Sequence, residues 1–332
     1  VENGIPRVDY LGNTKGALLL EPQSTNKIQY SEAFVNSYWT KSGASIEGDP
    51  STAGTEQVVN GDFSSDANWT KGTGWTISGG KANVSSGSDG SALAQDICKV
   101  GVVNRVVFTI SNYTGSGFVR LRTGNASQVK DFNANGTYSF DVVPTSVTFG
   151  FDRYITGSLS IDNVSVKEVQ GFASPSSETP IGAFKLVEGT STSNHFVTHT
   201  IITVSNSTNY TASIFAKLGE RKKFGMRDGF SDTWITVDLT DGSVIASNNL
   251  VSSEITKLVN GWYQISITLL TTSTSAIIKA YTLNDSYTSG SPETYSYTGN
   301  GTSGVYIFGA QLEQQSYATS YIPNYGESAG VT

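Results

Sequence analysis

In the stretch Phe118-Val119-Arg120-Leu121-Arg122, large polar and aromatic side chains alternate with aliphatic ones. On an extended chain a period of two turns Val119 and Leu121 to one side and Phe118, Arg120 and Arg122 to the other. The same reading of "RVVFTI" sends Val106, Phe108 and Ile110 inward and leaves Arg105 outside. In "TFGFDRYI" it sends Phe149 and Phe151 inward and leaves Asp152 and Tyr154 outside. Rings beside guanidinium groups can stack on the apolar face of a sugar while the cation binds hydroxyls or carboxylates. The outer face therefore has the chemistry of glycan recognition, and its arginines point to an acidic polysaccharide. The competing reading is a solvated sheet face along which arginine stems lie.

A second set of residues obeys the same logic. "YTASIFAK" buries Ala212, Ile214 and Ala216, so Phe215 and Lys217 point away. Trp234 stands opposite Ile235 and Val237, and Trp262 and Gln264 stand opposite Tyr263 and Ile265. Lys279 and Tyr281 join them with less certain parity. Large aromatics on a nominally exposed face require a ligand or a cover. Burial against another domain, module or subunit is expected here, with a glycan platform as the other possibility. Tyr287, Tyr295 and Tyr297 fall in a long polar loop, either an adaptable recognition surface or an ordered connection.

Catalytic signals are weak. His195 and His199 are four apart, a spacing that serves metal binding on a helix, but they sit among β-branched residues with no third ligand nearby. No Gly-x-Ser-x-Gly elbow occurs. Carboxylates are scattered through turns such as "DGS" and "NDS", where aspartate bends the chain. Converging glycosidase carboxylates leave no linear trace, so an enzyme is disfavoured on this reading without being excluded.

These residues need strands to hold them. Alternating runs bounded by Gly, Asn and Ser clusters recur through the chain, helical periodicity is nearly absent, and Phe, Tyr and Trp reach 11%. The expected fold is all-β, in antiparallel β-sandwiches of jelly-roll type. The 332 residues suffice for two domains. A net charge of -7 argues against nucleic acid as a partner. No apolar run is long enough to span a bilayer as a helix, and the single Cys98 allows no internal disulfide. The abrupt ends suggest a piece of a longer polypeptide.

One phrase occurs twice: a Phe (Phe34, Phe63) leads through small polar residues to Trp-Thr-Lys (Trp39 to Lys41, Trp69 to Lys71) and a Gly-rich turn. It reads as the opening of each sandwich, with the tryptophans as packing elements. Residues 57–170 look complete in themselves, and the segment from Gly171 onward continues the strand interrupted near Gly54. The expected arrangement is nested: an outer sandwich of 1–56 and 171–332 with 57–170 inserted in one of its loops.

The inner segment, through "VVNGDFSSDANWT", "GWTISGGKANV" and "SIDNVSVKEV", is similar to family 4/9-type carbohydrate-binding modules. That resemblance implies a structural Ca²⁺ tying first strand to last, at positions matching Asp62 and Asp162. The outer segment, through "IPRVDYLGNTKGALLLEPQSTNKIQYSEAF", "YTASIFAKLGE", "NGWYQISIT" and "GVYIFGAQLEQQSYATSYIP", resembles modules of bacteriophage tail fibres and other virion surface proteins. It implies a setting of adhesion at a virion or extracellular surface rather than a ligand; the expected partner, a polysaccharide or cell-surface glycan, is read from the strand faces. The resemblance also implies neighbouring fibre modules and a homo-oligomeric, trimeric parent.

Overall fold

The alternating runs become antiparallel strands in the structure, a computed structural model that describes residues 8–9, 17–18, 23–87, 90–123, 130–176, 181–326 and 330–331. The fold is all-β. The chain divides into an outer unit, Val1–Pro50 with Gly171–Thr332, and an inner unit, Ser51–Gln170. Residues 53–56 pair with the end of the last inner strand (Lys167 opposite Glu56, Val169 opposite Ala53), which places them with the inner unit. The Glu56 carboxylate fastens this junction, accepting from the Val166 amide at 2.8 Å and the Ser165 hydroxyl at 2.6 Å.

The outer unit is a sandwich of two six-stranded antiparallel sheets among the described residues. One runs in the order Ser252–Lys257, Trp262–Leu270, Asn209–Leu218, Gly304–Glu313, Phe184–Glu188, Ala44–Glu47; the other, Ser243–Asn248, Thr233–Asp238, Lys223–Asp228, Ile278–Leu283, His195–His199, Trp39–Ser42. Between them lie the aliphatic residues that period two assigns inward, among them Ile214, Ile235, Val237, Ile265 and Leu312, with Phe34 and Trp39. Turns use the residues that tolerate left-handed backbone, as in Asn260 (φ 56) and Gly261 (φ 78).

A polar clasp joins the two ends of this unit. The buried Asn26 amide donates to the Ala310 and Ile322 carbonyls at 3.0 and 2.8 Å, and the Asn324 amide donates to the Asn26 carbonyl at 3.0 Å. The buried Glu313 carboxylate accepts from Gln311, from the amide and hydroxyl of Thr319, and from Ser24. The part of the opening segment before Gln23, which carries much of the resemblance to fibre modules, lies largely outside the described residues.

In the inner unit two long strands, Asn104–Arg122 and Thr148–Val169, pair along most of their length. Register shifts occur between Val107 and Thr109 and between Ser111 and Thr114, where Asn163 (φ 52) and Asn112 (φ 56) adopt left-handed backbone. Each shift reverses which alternate residues face the core. Val106, Phe108 and Ile110 are buried before the second bulge and Val119 and Leu121 after it; on the partner strand, Phe149, Phe151 and Ile161 give way to Val164 and Val166. The two halves thus close around one core.

The repeated phrase builds the same local structure in both units. Tyr30 (φ 50) and Asn60 (φ 59) each reverse the chain. The indole N–H nine residues on, of Trp39 or Trp69, donates to the carbonyl of that reversing residue at 3.0 Å. Phe34 packs on Trp39 and Phe63 on Trp69, with centroids 4.6 and 5.2 Å apart.

Candidate functional site

Beyond the bulges, the outward residues of the two long inner strands come together. Phe118 stands opposite Tyr154, Arg120 opposite Asp152, and Arg122 opposite Gly150. The two rings lie 5.3 Å apart, and the Arg120 guanidinium lies over both, 5.0 and 5.1 Å from their centroids. Arg120 is also held by Asp131 of Lys130–Phe132 through two bonds, Nε to Oδ1 at 2.8 Å and Nη2 to Oδ2 at 3.0 Å. Arg122 makes one bond, Nε to Asp152 Oδ2 at 3.2 Å, with its side chain 44% exposed.

Asp152 points to the expected side, yet it is only 6% exposed, and its Oδ1 is buried without a hydrogen-bond partner. Desolvation raises its carboxyl above the usual aspartate range, against the pull of Arg122 and Arg120. Arg105 does not join this group. It lies in the other half of its strand, paired with Asp141 at 2.9 and 3.1 Å. Each guanidinium on the predicted face is therefore neutralised by an aspartate, which removes the charge argument for an acidic polysaccharide.

The face continues across two further strands. Asp152 neighbours Ala92, and Gly150 neighbours Ala94, which in turn neighbours Thr70. These small residues leave a low floor, and Gly150 is required there because a Cβ would stand 2.3 Å from the Leu93 carbonyl oxygen. At the far end Thr148 donates to Asp96 at 2.7 Å. An open cleft of about 400 Å³ lies there, lined by Val59, Asn68, Thr70, Ala94, Asp96 and Thr148. Sequence reading missed Asp131, Asp96 and Thr148. The available signal was the alternation of Asp131 with the inward Phe132 beside an arginine-bearing strand.

The outer-unit residues expected to face outward are largely buried. Phe215 (5% exposed) and Trp262 (1%) form a second apolar cluster with Ala183 and Phe308, against Phe172 and Tyr321. Tyr321 packs on the Phe215 and Phe308 rings at 5.5 and 5.7 Å. Lys217 and Gln264 are half-buried beside them. On the other sheet Trp234 and Tyr281 are buried too, and the tyrosine loop lies over that face. Glu293 of the loop accepts from Lys279 at 2.7 Å, from Arg227 at 3.2 Å and from the Tyr281 hydroxyl. Tyr287 is fully buried, and the Tyr297 hydroxyl donates to Glu188 at 2.9 Å. The aromatics are covered by their own unit, so no open platform exists at Phe215, Trp234, Trp262 or Tyr281.

His195 and His199 lie on one strand, where four residues span about 13 Å. Both are buried and bonded to backbone: His195 to the Gly43 and Tyr297 carbonyls, His199 to the Thr200 carbonyl and the Ile278 amide. Asp62 and Asp162 each accept a nearby turn amide, from Ser64 at 3.3 Å and Asn163 at 2.7 Å. Among the described residues no group of three or more His, Cys, Asp or Glu side chains could hold a metal.

No family model and no curated protein matches the chain. Among solved structures it is similar to the N-terminal CBM22-1-CBM22-2 tandem domain of Xyn10C from Paenibacillus barcinonensis. The identity is 12%, covering 80% of this chain and 99% of that one, with a TM-score of 0.25. A superposition at that score carries no argument about ligand or activity.

Proposed function

We propose that the chain is a non-catalytic glycan-recognition protein whose inner unit holds a polysaccharide across the face bearing Phe118, Arg122, Asp152 and Tyr154. One observation carries the reading: two rings 5.3 Å apart share a sheet face with a partly used Arg–Asp pair and run over a low floor into an open cleft. Rings offer apolar stacking, and the polar pair and the Asp96–Thr148 rim offer donors and acceptors for hydroxyls. The setting we propose is a phage fibre or related surface protein, at a virion or extracellular surface, with further modules and identical copies, three in a trimeric fibre. Repeated display would raise the avidity of a weak site by about 10²–10⁴.

A labelled sample of the 332-residue chain on a glycan array tests this. Tyr154→Ala is expected to weaken a positive signal about tenfold, the equivalent of about 1.4 kcal/mol, with the melting temperature unchanged. Equal binding by Tyr154→Ala and Arg122→Ala would place the site elsewhere. Absence of any signal would favour a second reading, a purely structural virion module. Arg105 and Arg120 fit that reading, since each is already doubly bonded to an aspartate. Product formation from a polysaccharide by a longer parent chain would instead mark an accessory part of a degrading enzyme.

A further inference from the structure

In the outer unit, Gln311 and Glu313 lie two apart on the strand Gly304–Glu313, so their side chains share one side of it. The chain then turns back. Thr211 Oγ1 and Thr268 Oγ1 of neighbouring strands hold the Gln315 and Ser316 carbonyls at 3.0 and 3.2 Å, and Thr319 comes to rest on the same two side chains. All three residues are buried, with Thr319 the most exposed at 3%. Glu313 Oε2 accepts from the Thr319 hydroxyl at 2.7 Å, and its Oε1 accepts an N–H of the Gln311 carboxamide at 2.7 Å. The hydroxyl oxygen stands 3.5 Å from that carboxamide nitrogen. Gln311 Oε1 in turn accepts from the Ile322 backbone amide at 2.7 Å. The other partners of Glu313 are the Thr319 amide at 2.8 Å and the Ser24 hydroxyl at 2.5 Å. A fully buried carboxylate is thus held by neutral donors, where a cation is the ordinary partner.

We propose that this cluster is a self-modification site, at which Thr319 and Gln311 join through an intramolecular ester. Each part the reaction needs is in place. The hydroxyl is the nucleophile, and the carboxylate that accepts its proton is the base. Thr319 Oγ1 attacks Gln311 Cδ, and the Ile322 N–H bonded to Oε1 stabilises the negative charge that gathers on that oxygen. Glu313 also touches the leaving group, so the proton taken from the hydroxyl passes to Nε2. The Oγ1–Cδ bond forms, the Cδ–Nε2 bond breaks, ammonia departs, and Glu313 ends as the carboxylate it began as. No oxidant or co-reactant is consumed. An unassisted carboxamide resists attack by a hydroxyl, but here the two groups are held together by the fold. Burial keeps out the water that would hydrolyse the ester once made.

The experiment is intact-mass spectrometry of the full chain, denatured after prolonged incubation in the folded state. The expected mass is lower than the sequence mass by one ammonia. Cleavage after Tyr317, which lies between the two residues and is 46% exposed in the fold, should leave the fragments bearing Gln311 and Thr319 joined. Alkaline hydroxylamine should separate them and leave a hydroxamate at position 311. Thr319→Val should restore the full sequence mass, and Thr319→Ser, which keeps a hydroxyl, should retain the deficit. Glu313→Gln should cut the cross-linked fraction at least tenfold. A wild-type chain at its full sequence mass would overturn the proposal, and that result does not depend on any variant folding. A deficit that persists in Thr319→Val, or fragments that hydroxylamine leaves joined, would overturn it as well.

Discussion

At the residue scale, His199 shows how a side chain with catalytic chemistry becomes a structural part. Its Nε2 accepts the Ile278 amide at 2.9 Å, so its proton sits on Nδ1 and is donated to the Thr200 carbonyl. Burial holds its pKa down, from 6.5 to about 4. The unfolded imidazole takes up a proton near 6.5 and the folded one resists until about 4. Its contribution is therefore complete above about pH 6.5 and is lost as pH falls toward 4, by about 3 kcal/mol in all. In urea titrations, the stability gap between wild type and His199→Gln should narrow across that window. Parallel pH profiles would refute the assignment. Sequence told only that these histidines sat in a strand; which backbone groups they meet depends on residues such as Ile278 that are distant in the chain.

At the element scale, period two assigned the sides in both units but did not reveal what covers the outer one, for one physical reason. Alternation states which side of a sheet a residue takes, and says nothing of what lies on that side. Val119 and Leu121 against Phe118, Arg120 and Arg122 needed no more than that. Phe215 and Trp262 also turn away from the main core, but the segment carrying Tyr321 and the one carrying Phe172 fold over them. Asp152 shows a milder version, since its side was legible and its burial beneath neighbouring side chains was not. The pairing of Arg105 and Arg120 with aspartates was hidden for the same reason, because Asp141 and Asp131 arrive on other strands. Trp262→Ala should cost about 4 kcal/mol, as expected when a buried tryptophan is truncated, measured by equilibrium denaturation. A loss below about 1 kcal/mol would mean that the cluster is not part of the folded core.

At the scale of the whole molecule, the nested order could be read from the repeated Phe–Trp phrase, since each copy begins a unit with the same reversed turn. The boundary was less legible, because Glu56 is joined to the inner unit by pairing with Lys167 and Ser165 that no local pattern announces. The inner unit has its own core of about two dozen buried residues and strands that close on one another, which are the conditions for independent folding. Residues 51–170 expressed alone should show one cooperative thermal transition and the dispersed amide spectrum of a folded β-protein. A non-cooperative melt would show that the inner unit depends on its host.

The clasp formed by Asn26, Asn324 and Glu313 has a mechanical consequence. A pull directed along the first and last segments of the outer unit would load these bonds simultaneously, so they would have to rupture as a group before the sheets could peel. A module anchored in this way is suited to bearing tension at both ends.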